Sequence, residues 1–452
     1  MSEFFAALRR IWSAEDLRNR ILITIGILVI YRLAAHVPVP GVNVDAVRGL
    51  LQGQTSAAGN LVNLLDLLSG GTVSNLSVLA MGVYPYITAQ IILQLLVPII
   101  PRLQRMMEED PTRGREMMER WTYYLAVPMA ALNAFGQIQL IRSLPSTTPV
   151  LLFDTALGGP GLGFNLPTLT MIIAMTGGTM FAIWLGELIS EYGLRKQGLS
   201  LIIFAGIVAR VPFNVGQLLS DQTRWLTSLL AFIFVLILMV FAIVFVQQGR
   251  RNVPVMYPGR RMGNRMSMPV RGNLPLQINM AGMIPIIFAQ SILTFPAIIA
   301  QFFVNAETQW VRDFARSVSN LFGAQDPWYW LLYFLCVVGF TFFYTDVLFT
   351  QQNYGENLKR AGAQIPGVTK GAPTQKYLTK VLRRITLPGA VFLGIVAVMP
   401  FLIQQSGLIP VAAQLSILST GLLIVVGVVR DTFFGLDAEL KLRGYSDSLL
   451  VK

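Results

Sequence analysis

The chain has 452 residues, 54% of them apolar and only 13% charged, with a mean hydropathy of +0.59. That charged share is about half of what soluble domains carry, which excludes a soluble globular protein, and the length suits about ten spanning helices of about 20 residues each. The net charge of +12 invites a nucleic-acid reading, but its placement along the chain follows membrane topology instead.

Apolar stretches near 21–37, 75–100, 121–142, 168–189, 199–217, 226–248, 277–301, 327–350, 386–403 and 412–429 predict ten spans. Arg9, Arg10, Arg18 and Arg20 precede the first. That stretch ends in Val37-Pro38-Val39-Pro40-Gly41 rather than a small-residue cleavage site, which predicts an uncleaved span. Residues 61–69 form an apolar run of nine, too short to cross a bilayer. They suit a short re-entrant helix or an amphipathic helix on the outer surface. The stretch that follows, Ser69-Gly70-Gly71-Thr72-Val73-Ser74-Asn75-Leu76-Ser77, runs into Gly82-Val83-Tyr84-Pro85-Tyr86-Ile87-Thr88 and breaks a helix at membrane depth. Lipid cannot satisfy the backbone groups freed there, so the segment must be buried in protein or line a water-filled cavity. A path through the membrane is the first hypothesis.

Ten spans put both termini on one side. The loops on that side hold 28 of the 35 lysines and arginines and the opposite loops hold four, which predicts cytoplasmic termini. Five spans per half make the second half inverted relative to the first. Two cytoplasmic loops, 249–275 and 351–385, are long and basic. The first carries Arg250, Arg251, Arg260, Arg261, Arg265 and Arg271; the second carries Lys359, Arg360, Lys370, Lys376, Lys380, Arg383 and Arg384. Such residues accumulate for orientation alone, but loops of this length also suit docking of an acidic protein or ribosomal RNA phosphates.

Reactive chemistry is nearly absent. His36 is the one histidine and Cys336 the one cysteine, and no metal-binding or phosphate-cradling motif is present. Asp346 is the only acid well within a predicted span, Glu187 lies near a span end, and Arg32 and Arg210 lie toward outer ends. No catalytic residue, metal or cofactor is expected. Ion coupling usually leaves ionisable residues inside the bundle, so a passive or partner-driven path fits better, with a secondary transporter of a small solute as the alternative.

Several segments carry a family resemblance. They include Pro38-Val39-Pro40-Gly41, Ser69-Gly70-Gly71, Met81-Gly82-Val83-Tyr84-Pro85-Tyr86-Ile87, Trp184-Leu185-Gly186-Glu187 and Ile203-Phe204-Ala205-Gly206-Ile207-Val208. The second half adds Leu274-Pro275-Leu276-Gln277-Ile278-Asn279-Met280-Ala281-Gly282-Met283-Ile284-Pro285, Phe342-Phe343-Tyr344-Thr345 and Glu356-Asn357-Leu358-Lys359-Arg360. In this order and spacing the chain resembles the SecY family of bacterial protein-translocation channels over nearly its whole length.

The resemblance implies an all-α polytopic membrane protein with ten transmembrane helices in two inverted five-helix halves, 21–217 and 218–429, around a central pore with a plug helix. The plug falls on 61–71, with Leu61, Leu64, Leu65, Leu67, Leu68, Ser69, Gly70 and Gly71. By alignment, the pore ring is Val83, Ile87, Leu199, Ile203, Ile287 and Ile424. Val83 with Ile87, and Leu199 with Ile203, are spaced i, i+4 and so share a helical face. A lateral gate would use Thr88, Asn133 and Asn279, the two amides hydrogen-bonding across the closed gate. Arg251, Arg260, Arg265, Lys359 and Arg360 match positions that dock a SecA-like motor ATPase or a ribosome. The implied partners also include SecE-like and SecG-like membrane subunits, unfolded preproteins with signal sequences, and lipid. The implied location is the cell inner membrane. One departure concerns motor engagement: the turn Pro366-Gly367-Val368-Thr369-Lys370-Gly371 has Thr369 where the family has arginine.

Overall fold

The computed structural model describes residues 15–43, 76–97, 100–143, 166–194, 198–220, 225–258, 261–262, 265–266, 270–303, 308–322, 327–405 and 412–442. The expected plug, 61–71, and Arg260 lie outside these residues. Each of the ten expected spans holds one helix: α1 (Glu15–Ala34), α2 (Tyr84–Leu96), α4 (Pro111–Ser143), α5 (Leu166–Tyr192), α6 (Gly198–Ser220), α7 (Trp225–Gln248), α8 (Ile284–Phe303), α10 (Pro327–Gln352), α12 (Ala372–Gln405) and α13 (Ala412–Leu442). Three shorter helices join them: α3 (Pro101–Glu109), α9 (Gln309–Phe322) and α11 (Tyr354–Arg360).

By length and composition alone, three stretches among the described residues are apolar enough to cross a membrane: Leu166–Tyr192, Trp328–Arg360 and Ala372–Met399. Tyr84–Leu96 with Pro101–Met107, bent by 92°, makes a fourth if the pair is taken as one. Helix α1 carries Glu15, Asp16, Arg18 and Arg20 in its first turns, and Gly198–Ala209, Phe232–Gln248 and Ile284–Thr294 are shorter apolar stretches among the described residues. Large apolar side chains stay exposed along the long helices, as on α7 with Phe234, Ile237, Phe241 and Phe245. Water would penalise that surface; lipid does not.

The second span is shorter than its apolar run suggests. Its helix starts at Tyr84, not 75, because Leu76 and Gly82 take positive φ, 40° and 50°, and break the backbone. Residues 76–83 form turns instead, tied down by Val39 N–H to the Leu76 carbonyl and Val78 N–H to the Val37 carbonyl, both 2.9 Å. Ser77, Leu79, Ala80, Met81 and Val83 are buried, so protein satisfies this break as membrane depth demands. Gly178 of α5 permits the approach, since a Cβ there would overlap the Val78 carbonyl.

The two basic loops hold regular structure. Residues β1 (Arg250–Tyr257) and β4 (Val270–Gln277) pair antiparallel from Arg250 opposite Gln277 to Tyr257 opposite Val270, and the short β2 (Arg261–Met262) and β3 (Arg265–Met266) pair between them. Alternation turns Val253, Val255 and Leu276 inward, onto Phe349, Leu358, Ile365, Leu378 and Leu382. Met256 and Gln364 exchange both backbone hydrogen bonds, at 2.8 and 2.9 Å, which joins the second loop to the ribbon. Hairpin, α11 and the start of α12 therefore share one small core at the end of the helix bundle. The hairpin also displaces the start of the seventh span from 277 to Ile284.

Candidate functional site

Five of the six expected ring residues meet. Val83 and Ile87 at the start of α2, Leu199 and Ile203 in α6, and Ile424 in α13 belong to one apolar cluster, joined by Met283 before α8 and Val428 in α13. Val83, Ile203 and Ile424 are buried. Ile287 is also buried but falls outside this cluster; it sits one turn along from Met283, to whose carbonyl its N–H points at 3.5 Å. The cluster is the core of the first half continued onto residues of α13 and the α8 entrance, so the two halves close on each other through aliphatic side chains. Beside it, Leu199 lines an open cavity of about 460 Å³ whose walls include Tyr86, Tyr123, Glu119, Glu187 and Glu191.

Thr88 and Asn133 lie in the helices of their expected spans, but the expected hydrogen bond between the Asn133 and Asn279 amides is not made. The Asn133 amide donates to the Met129 carbonyl of its own helix at 2.9 Å, and the Asn279 amide donates to the Gly282 carbonyl at 3.0 Å. Neither amide hydrogen-bonds the other. The cause is the hairpin: with α8 starting at Ile284, Asn279 lies in the turn below it, whereas Asn133 lies well along α4, one residue from Ala134, which packs with Ala297 of α8. Thr88 donates to the Tyr84 carbonyl at 3.0 Å, also within its own helix.

Another polar pair links the halves instead. The Tyr344 hydroxyl of α10 donates to Gln94 Oε1 of α2 at 3.1 Å. Gln290, Ser291 and Thr294 make a buried polar stretch on α8. Sequence reading passed over Gln94, Ser291 and Tyr344; the signal available was a polar atom in each of several otherwise apolar helices.

Charged positions also resolve. Asp346, the one acid well within a predicted span, accepts from Arg383 Nη2 of α12 at 2.6 Å and from its Nε at 3.1 Å. Arg251 is exposed on β1, and Lys359 and Arg360 are exposed at the end of α11, where both lie near Glu356, at 3.8 and 3.7 Å. In the departing turn, Thr374 donates to the Thr369 carbonyl at 2.7 Å and Lys370 is exposed. His36 is exposed and its Nδ1 lies 2.7 Å from the Arg32 carbonyl. Among the described residues no group of three or more histidine, cysteine, aspartate or glutamate side chains could hold a metal ion.

The family model for SecY matches residues 77–433. The protein translocase subunit SecY of Mycobacterium leprae is 37% identical over 458 residues, covering 99% of this chain and 100% of that protein. Its counterpart from Aquifex aeolicus is 38% identical over 448 residues, covering 98% and 99%. In fold, the chain matches a solved protein-conducting channel with a TM-score of 0.62 at 17% identity, over 95% of this chain and 94% of that one. Sec61 in a canine ribosome–channel complex from the endoplasmic reticulum matches with a TM-score of 0.60, also at 17% identity over 95% and 94%. These findings set the solute-transporter alternative aside: the chain belongs to the SecY family of channel-forming protein-translocase subunits.

Proposed function

We propose that Val83, Ile87, Leu199, Ile203, Ile287 and Ile424 form the constriction through which this translocase subunit passes unfolded polypeptides. The observation that carries the reading is the apolar cluster in which side chains of both halves meet. An aliphatic constriction dewets and offers a small ion no replacement for its hydration shell. The same flexible side chains pack around a polypeptide of any sequence. In this reading 21–217 and 218–429 are the two halves, 61–71 is the plug, and apolar segments leave sideways between α2 and α8. The contact Gln94–Tyr344 supports a closed gate along that line.

The chain supplies no chemistry of its own in this reading. Energy comes from a SecA-like motor, a translating ribosome, or the membrane potential acting on charges in transit. Arg251, Arg260, Arg265, Lys359 and Arg360 are the docking positions, and the ribosome bound to the canine channel supports that partner. SecE-like and SecG-like subunits complete the complex. Both termini are cytoplasmic in the inner membrane, as the charge distribution indicates. Asp346 is held by Arg383 and serves packing between α10 and α12.

The test is electrical. In planar bilayers the parent channel should hold its resting seal, and Ile203→Asn together with Ile424→Asn should raise resting chloride and sodium conductance by giving ions polar partners at the constriction. Unchanged conductance in correctly folded protein would remove these residues from the seal.

A further inference from the structure

Helix α9 stands apart from everything assigned so far. It connects α8 to α10 at the end of α8 remote from the hairpin, and one side of it is spoken for: Ala315 and Ser319 are buried, and Phe322 packs against the cores of both halves. Its most apolar side is not. Trp310 is 75% exposed, Phe314 62% and Leu321 37%, and at 100° per residue the three fall within an arc of about 40°. Trp310 and Phe314 stack with ring centroids 6.1 Å apart. The exposed polar residues Asp313, Arg316, Ser317 and Asn320 occupy a separate arc. Three sectors result, facing protein, water, and a third phase.

We propose that this third phase is the lipid of the membrane leaflet remote from the hairpin, and that α9 is an interfacial anchor. Two observations select lipid over a protein partner. The two spans that α9 connects also leave large apolar side chains exposed, Ile292, Ile299 and Phe303 on α8 and Trp328, Leu331 and Leu335 on α10, a surface suited to lipid. The connections are also short: residues 304–308 and 323–326 reach at most about 18 Å when fully extended, which keeps α9 at the level of the span ends. Amphipathic helices of this kind sink their apolar face about 5–10 Å into the boundary between headgroups and acyl chains, and tryptophan favours that boundary. Because its opposite side packs on α8, the anchor fixes the depth at which the far end of α8 sits.

The test uses the full chain in phosphatidylethanolamine–phosphatidylglycerol vesicles, in a Cys336→Ala background. Spin labels are placed by Trp310→Cys, Phe314→Cys and Asn320→Cys. Labels at 310 and 314 should be shielded from an aqueous nickel relaxant, open to oxygen, and about 5–10 Å below the phosphates, while the label at 320 reads as aqueous. Equal aqueous exposure at all three positions overturns the proposal. So does spin–spin broadening at 310 that grows with protein density, which would assign the arc to a second copy. An independent readout needs no new cysteine: lipids brominated near the headgroup should quench the parent protein more than Trp310→Phe, and equal quenching in the two counts against the anchor.

Discussion

Gln94 and Tyr344 are 250 positions apart in sequence, yet one hydrogen bond of 3.1 Å joins them across the line where the halves meet. Hydrogen bonds between helices in membranes are worth about 0.6–2 kcal/mol, enough to bias a gate shut without locking it. Tyr344→Phe and Gln94→Leu should each increase export of a substrate with a weakened signal sequence. The double variant should gain little beyond either single, because both remove the same bond. Additive gains, or none, would show that the bond does not restrain opening. Residue-level contacts of this sort are where sequence reading fails most. The proposed ring rests on the resemblance; what the structure adds is one apolar cluster holding Val83, Ile87, Leu199, Ile203 and Ile424. The hydrogen bond between Asn133 and Asn279 presumes a helical register for Asn279, which instead lies in the turn between β4 and α8 and bonds the Gly282 carbonyl.

At the scale of elements, apolar runs located all ten helices because nothing else in a membrane protein tolerates about 20 apolar residues in a row. Their ends were less legible. The hairpin escaped because Pro254 and Pro275 sit within its strands, and proline argues against a strand except on an edge. A two-stranded ribbon is all edge, so both prolines fit. The inward face is marked by Val253, Val255, Leu274 and Leu276, two residues per strand, too few to raise a periodic signal.

The resulting module makes two further predictions. Gly355 at the start of α11 leaves no space for a side chain, as a Cβ would lie 2.8 Å from the Gly371 carbonyl and 3.0 Å from the Gln375 nitrogen. Its N–H also donates to Gln375 Oε1 at 2.7 Å. Gly355→Val should therefore loosen α11 from α12, seen as faster proteolysis within 351–371 while the helix bundle stays intact; unchanged cleavage would contradict this packing. Charge reversal at Arg251, Lys359 and Arg360 should weaken ribosome or motor docking, most strongly at low salt where exposed charges act over the longest range. Affinity that stays constant across salt would leave these residues an orientation role only.

For the whole molecule, three observations converge: family membership over nearly the full chain, a bundle whose halves meet through aliphatic residues, and an Asp346 carboxylate already paired with Arg383. The halves also touch near their ends, where Leu17 of α1 packs with Leu436 of α13, so separation at the gate line need not dissolve the bundle. The central proposal for this chain is that a polypeptide crosses at the ring itself. That is tested by a cysteine at Ile203 in a Cys336→Ala background, probed with a ribosome-stalled secretory chain carrying one cysteine after its signal sequence. A disulfide that requires an intact signal and moves with the probe position is the predicted result. Failure to crosslink at Ile203, and at matched probes on Val83 and Ile87, while the ribosome is shown to be docked would contradict the account.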